Sequence, residues 1–179
     1  MENFLELAGK RESCRKFNGK PVAREDLLKC VEAARLAPSA CNSQPWKFII
    51  VDDSALKIEL CRAAFSAPYT ASWPEKAGAI LVVISERGNF TARVGNFVRD
   101  TRYYLVDIGI AVEHFILQAA ELGLGTCWMG WFNEKGVKKT LGLPASSKVD
   151  IIVPVGYAET NETRKKVRRR IEETYKFNK

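Results

Sequence analysis

Near the start of the chain, the run Arg11-Glu12-Ser13-Cys14-Arg15-Lys16-Phe17 places two guanidinium groups and a hydroxyl at alternate positions. In an extended segment alternate side chains share one face, so Arg11, Ser13 and Arg15 would be presented together to a single object. Two planar forks and a neutral donor suit a phosphate, whose oxygens accept bidentate hydrogen bonds. A solvated basic strand is the other reading of so short a run. A second cluster, Ala37 to Trp46 (APSACNSQPW), sets Pro38 and Pro45 around small polar residues. This is a loop composition, and the amides of Asn42 and Gln44 both donate and accept, as a heterocycle with mixed edges requires. The same residues are also ordinary turn formers.

Charge narrows the choice of partner. Lys and Arg number 28 against 21 Asp and Glu, a net of +7 in 179 residues. Eight of those cations and only two of the acids lie in 164–179, which leaves 20 against 19 for the rest. The chain is a near-neutral body with a basic tail from about residue 160. The run Arg164 to Arg170 (RKKVRRR) could bind nucleic acid in a salt-sensitive way, but no basic face or recognition module accompanies it. Nucleic acid is therefore not the expected partner.

The five cysteines, Cys14, Cys30, Cys41, Cys61 and Cys127, form no CxxC pair, and His114 is the single histidine. Neither a disulfide framework nor a metal site is indicated. Acidic residues at the start do not suit a secretory leader, so a cytoplasmic protein is expected. The longest helical apolar stretch, about Tyr103 to Leu122, is interrupted by Asp107, Glu113, His114, Gln118 and Glu121, which excludes a membrane span.

The elements that must position these clusters can be read from periodicity. Leu27, Leu28, Val31, Ala34 and Leu36 recur at helical spacing over Glu25 to Leu36, and Pro38 stops the helix. Lys47 to Val51, Ala79 to Ile84 and Val149 to Tyr157 read as strands, with Pro154 placing the last at an edge or a bulge. Between the second and third lie the helix to Leu122 ended by Gly123, a short strand about Thr126 to Met129 and a helix about Glu134 to Leu141. Residues 62–77 and 86–102 read as irregular. With no repeat or linker, one layered domain over 1–179 of the α+β or α/β class follows.

Five pieces in register, RESCRKF, LAPSACNSQPWKFIIV, DIGIAVEHFILQAAELGLG leading into TCWMGWF, KKTLGLP before VDIIVPVGY, and KKVRRRIEE, make the chain resemble the flavin-dependent nitroreductases over nearly its whole length. The resemblance implies an α+β, three-layer fold on a central mixed sheet flanked by helices, an intertwined homodimer, and FMN at the subunit interface. Arg11, Ser13 and Arg15 would hold the FMN phosphate and the polar edge of the ring, joined by Lys166 and Arg168 from the tail. Pro38, Ser39, Ala40, Asn42 and Gln44 would line the flavin from the other subunit. Trp128, Met129 and Gly130 would run past the ring, with a backbone N–H near Gly130 or Trp131 towards flavin N5.

The activity implied is hydride transfer from NAD(P)H through FMN to a small acceptor such as a nitroaromatic or quinone, in a ping-pong cycle with no protein acid, base or nucleophile. A flavin-binding or sensing protein without efficient turnover is the alternative, as is nucleic-acid binding through the tail. The chain departs from the family pattern at Glu12, where many relatives carry a basic residue or histidine, at Ala40-Cys41, which makes the loop less polar, and in the short 86–102 stretch. Cys127 is expected to be a small buried hydrophobe, His114 a surface or interface residue, and Tyr69 and Trp73 local packing. Arg164, Lys165, Arg169 and Arg170 are expected to be surplus to the phosphate site, on a solvated tail facing a partner.

Overall fold

A strand that is apolar on both faces needs cover on both sides, and Ala79–Ser85 (AILVVIS) is such a strand. In the computed structural model, which describes residues 3–86, 101–160 and 164–178, Ala79, Leu81 and Val83 face one hydrophobic layer. Ile80, Val82 and Ile84 face another. This strand, β2, lies between β1 (Trp46–Val51) and β4 (Lys148–Gly156), and β3 (Gly125–Thr126) closes the row in the order β1-β2-β4-β3. Helices α2 (Arg24–Arg35) and α4 (Tyr103–Glu121) cover the first face through Leu27, Cys30, Ile108, Val112, Phe115 and Ile116. Helices α3 (Ser54–Ala64) and α5 (Glu134–Thr140) cover the second through Leu60, Cys61, Ala64 and Val137. The result is the three-layer α+β arrangement that the sequence implies.

The sheet is less mixed than expected. All three ladders are antiparallel, and among the described residues parallel pairing enters through the bridge from Ser13 to Thr126. The reason lies in the connection from β1 to β2. Val51 ends β1 opposite Ile80 at the start of β2, so the chain leaves and re-enters at one end of the sheet. Helix α3 carries it away and residues 65–78 bring it back, whereas a helix alone would return it to a parallel neighbour. The Lys57 ammonium of α3, itself buried, donates to the Ala77 carbonyl and fastens the two limbs.

Pro154 proves to sit inside the sheet, opposite Ile80. Its carbonyl accepts from the Cys127 N–H at 3.3 Å, so its nitrogen faces the same neighbour, where β3 ends at Thr126 and the missing proline N–H leaves the return bond to Cys127 unmade. The register shift falls instead between Val83 and Ile84. Helix α3 was not anticipated; Asp53 caps it, its carboxylate accepting from Leu56 N at 2.8 Å. Helix α1 (Phe4–Lys10) is capped likewise by Asn3. Expectations for 87–100 lie outside the described residues.

The N-terminal strand is stitched on at both ends. Cys14 N donates to Thr126 O at 2.8 Å, Asn18 N to Tyr157 O at 3.0 Å and Glu159 N to Lys16 O at 3.0 Å. Cys14 and Phe17 are buried by this docking. The approach is close enough to require glycine at 125, where a Cβ would stand 2.6 Å from Cys14 Cβ and 2.8 Å from its Sγ. Gly125→Ala is expected to lower stability by roughly 1–3 kcal/mol through overpacking, with Cys14→Ala restoring part of it. The midpoint of urea unfolding checks this, and an unchanged midpoint for Gly125→Ala contradicts the packing described.

Candidate functional site

Because Cys14 points inward, alternation leaves Arg11, Ser13 and Arg15 on the other face; Phe17 is buried past the end of that alternating run. They line a cavity of about 350 Å³ together with Glu12 and the tail residues Arg164, Lys165, Lys166, Val167 and Arg168. Cations from the two ends of the sequence thus meet around one hollow. Lys166 is held there by donation from its ammonium to the Gly9 carbonyl. Desolvation, with Arg11 and Arg168 nearby, pushes its ammonium pKa below the usual lysine value. Arg11 has Glu113 at 3.9 Å. Arg15 makes no hydrogen bond or ion pair with another of the described residues. So many cations around one hollow repel each other, and an anion placed there relieves them.

Two tail residues assigned no role by sequence reasoning also line this cavity. Arg164 donates from Nη2 to the Ser13 carbonyl at 2.6 Å, and its backbone N–H donates to Glu12 Oε2 at 3.1 Å. Lys165 lines the same wall. Both are exposed, as expected of a solvated tail, but they border the cavity instead of standing clear of it. What reasoning on charge could not see is that Arg164 meets a carboxylate and a carbonyl more than 150 positions away in sequence.

The 38–44 loop does not line this cavity. It is anchored on α4, where the buried Asp107 accepts from Ala40 N at 3.0 Å and from the Ser43 hydroxyl at 3.5 Å. Gln44 N donates to the Ser39 hydroxyl at 3.0 Å, and the Gln44 amide donates to Asn42 Oδ1 at 3.1 Å. Cys41, Asn42 and Gln44 adopt φ of 53°, 50° and 44°, left-handed conformations that side chains seldom take. Such backbone clusters in clamps on ligands and needs surroundings that enforce it. Pro38, Asn42 and Gln44 are exposed. Asp107, grouped by sequence with the polar stripe of α4, is in fact the buried support of this loop.

The third group follows directly from the bridge to Ser13. Three residues past Thr126, Met129 pairs with Ile152 in both directions, at 2.9 and 3.0 Å. Trp128 packs towards the α2/α4 layer and Met129 towards the α3/α5 layer. Gly130 is exposed, with nothing within 4 Å of where its Cβ would be. Trp131 is 71% exposed and its ring lies 5.2 Å from that of Tyr69. Trp73 stacks on Phe17 at 6.1 Å, which is local packing. Burial pushes the Cys14 and Cys127 thiols up, away from the thiolate, even with Arg15 beside Cys127. His114 sets its Nδ1 3.2 Å from the Ala33 carbonyl on α2.

The nitroreductase family model matches residues 8–157. The chain belongs to the nitroreductase family. A protein of Archaeoglobus fulgidus, provisionally named an NADH dehydrogenase/NAD(P)H nitroreductase, is 30% identical over 161 residues, covering 88% of this chain and 86% of its own. An iodotyrosine deiodinase of Thermotoga neapolitana is 29% identical, covering 89% and 90%. An FMN-dependent nitroreductase of Clostridium difficile superposes with a TM-score of 0.76 at 28% identity, over 98% and 99% of the two chains. The family model stops before the basic tail; the chain's 164–168 segment is placed at the site by its lining of the cavity.

Removing the support of the 38–44 loop tests its construction. Asp107→Ala leaves the Ala40 N–H without its acceptor and is expected to cost about 1–3 kcal/mol, with Asp107→Asn costing less. Amide hydrogen exchange over 38–44 should quicken in Asp107→Ala. Unchanged exchange there would contradict the anchoring role.

Proposed function

We propose that this nitroreductase-family chain binds FMN and passes hydride from NAD(P)H to a small acceptor such as a nitroaromatic or a quinone. The observation that carries the reading is the convergence of Arg11, Ser13, Arg15, Lys166 and Arg168 on one cavity. Its donor set fits a phosphate dianion, since guanidinium forks and an ammonium surround a neutral hydroxyl. FMN, when bound, supplies the two-electron hydride chemistry that no side chain of the chain provides.

The residues then divide the work. Arg11, Ser13, Lys166 and Arg168 would bind the phosphate, and Arg15 would add positive charge towards the polar edge of the flavin. Trp128, Met129 and Gly130, which follow the bridge at Thr126, would line the flavin. Extended chain from Thr126 to Gly130 spans about 13 Å. The exposed Gly130 leaves backbone there that no side chain covers. The anchored loop of Pro38, Ser39, Ala40, Asn42 and Gln44 does not line its own chain's cavity. It is offered to the flavin of a second copy, which makes the homodimer the working unit. Asp107 then acts through that loop. Donor and acceptor would take turns in one cleft, giving ping-pong kinetics.

Relatives whose names include NAD(P)H and FMN support the choice of donor and cofactor. Protein purified with FMN is expected to be yellow and to bleach rapidly when NADH or NADPH is added without oxygen. Protein that neither takes up FMN nor bleaches overturns the proposal. Arg11→Ala and Arg168→Ala are each expected to weaken FMN binding by about 1.5–3 kcal/mol, the range for a hydrogen bond to a charged group. Unchanged affinity in both would remove the phosphate site.

The depressed Lys166 pKa gives a pH dependence of known sign. Below that pKa the ammonium attracts phosphate, and above it the charge is gone. FMN affinity should therefore fall as pH rises, beginning below the value of about 10.4 set by an ordinary lysine. Lys166→Arg should remove this alkaline loss. Equal affinity for the wild type from about pH 7 to about 10 would contradict it.

A further inference from the structure

An anion-binding wall that contains a carboxylate calls for a reason, and Glu12 stands between Arg11 and Ser13 in the wall of the cationic cavity. By charge alone it opposes a phosphate. Its Oε2 accepts the backbone N–H of Arg164 at 3.1 Å and lies 3.5 Å from the Nε of the same residue. The Arg164 guanidinium also reaches past it to the Ser13 carbonyl at 2.6 Å. One residue of the tail is thereby held to the N-terminal strand by main chain and side chain together. Two positions further on, Lys166 takes the Gly9 carbonyl, and Arg168 follows on the cavity wall.

We propose that Glu12 is a positioning residue that fastens the tail to the N-terminal strand through Arg164, so that Lys166 and Arg168 are delivered to the FMN phosphate. The inference rests on the FMN reading above. Arg164 is the partner of the Glu12 carboxylate, and the ordering of two cations outweighs what the carboxylate costs in repulsion. A loose tail must lose its freedom each time the ligand binds, whereas a fastened one has already lost it.

Glu12→Gln separates this from simple electrostatics because the two predict opposite signs. If Glu12 merely repels, removing its charge tightens FMN. If it fastens the tail, Glu12→Gln weakens FMN binding by about threefold to tenfold and Glu12→Ala by at least as much. Arg164→Gln should weaken it comparably, and the double variant Glu12→Gln/Arg164→Gln should be no weaker than the worse single variant.

A second readout needs no flavin. In the apo protein, trypsin should cut after Lys165, Lys166 or Arg168 faster in Glu12→Gln than in the wild type, at an unchanged thermal midpoint. Unaltered or tighter FMN binding in Glu12→Gln, additive losses in the double variant, or unaltered tail cleavage each overturn the proposal. A wild type that binds no FMN overturns the functional reading instead, and the cleavage rates still decide whether Glu12 holds the tail.

Discussion

The parallel bridge between Ser13 and Thr126 is the constraint on which the site depends. It docks the N-terminal strand against the outer side of β3 and fixes which of its side chains turn inward. With Cys14 committed to the core, Ser13 and Arg15 on either side of it, and Arg11 in step with them, have the outer face left. The same bridge fixes where Cys127 to Gly130 begins, since that segment leaves the sheet from Thr126. It also presents the Ser13 carbonyl as the acceptor for Arg164. Gly125 permits this approach because it has no side chain to meet Cys14. A backbone contact thus ties the cationic cavity to the strip of backbone that follows Thr126.

Electrostatics then decides what the cavity is for. Cations gathered at one point destabilise the protein that holds them, and the Lys166 pKa is lowered first by desolvation and then by Arg11 and Arg168 beside it. The cost is offset when an anion arrives, so it is carried where binding, not folding, selects the arrangement. The 38–44 loop is the counterpart at another place in the molecule. It has left-handed backbone at non-glycine positions, held by a buried carboxylate. Both features keep polar groups in fixed positions before any ligand is present.

The sequence made much of this legible, because short-range rules governed it. Alternation in Arg11 to Arg15 predicted a shared face, and the apolar runs of β1, β2 and β4 predicted their places within a residue or so. The resemblance named both clusters and the layered fold. Pro154 misled, since an interior strand can hold a proline at the cost of one ladder bond, here the return bond to Cys127 just past the end of β3. Parallel pairing was overestimated because the return limb at 65–78 has no periodic pattern of its own. The roles of Arg164 and Asp107 depended on partners 151 and 67 positions away, which neither spacing nor composition encodes. Asp107 did carry one signal, a lone acid within the first turns of an apolar helix.

The central claim is that the cavity built by the N-terminal strand and the tail recognises a phosphate group. Comparing FMN with riboflavin tests it most directly, because the two share the ring and ribityl chain and differ only in that group. Equilibrium titration of the apo protein at low ionic strength is expected to give FMN at least about a hundredfold tighter than riboflavin, as two or more charged hydrogen bonds require. The gap should narrow as salt is raised. Equal affinity for the two flavins, or a gap that salt does not touch, would contradict the account.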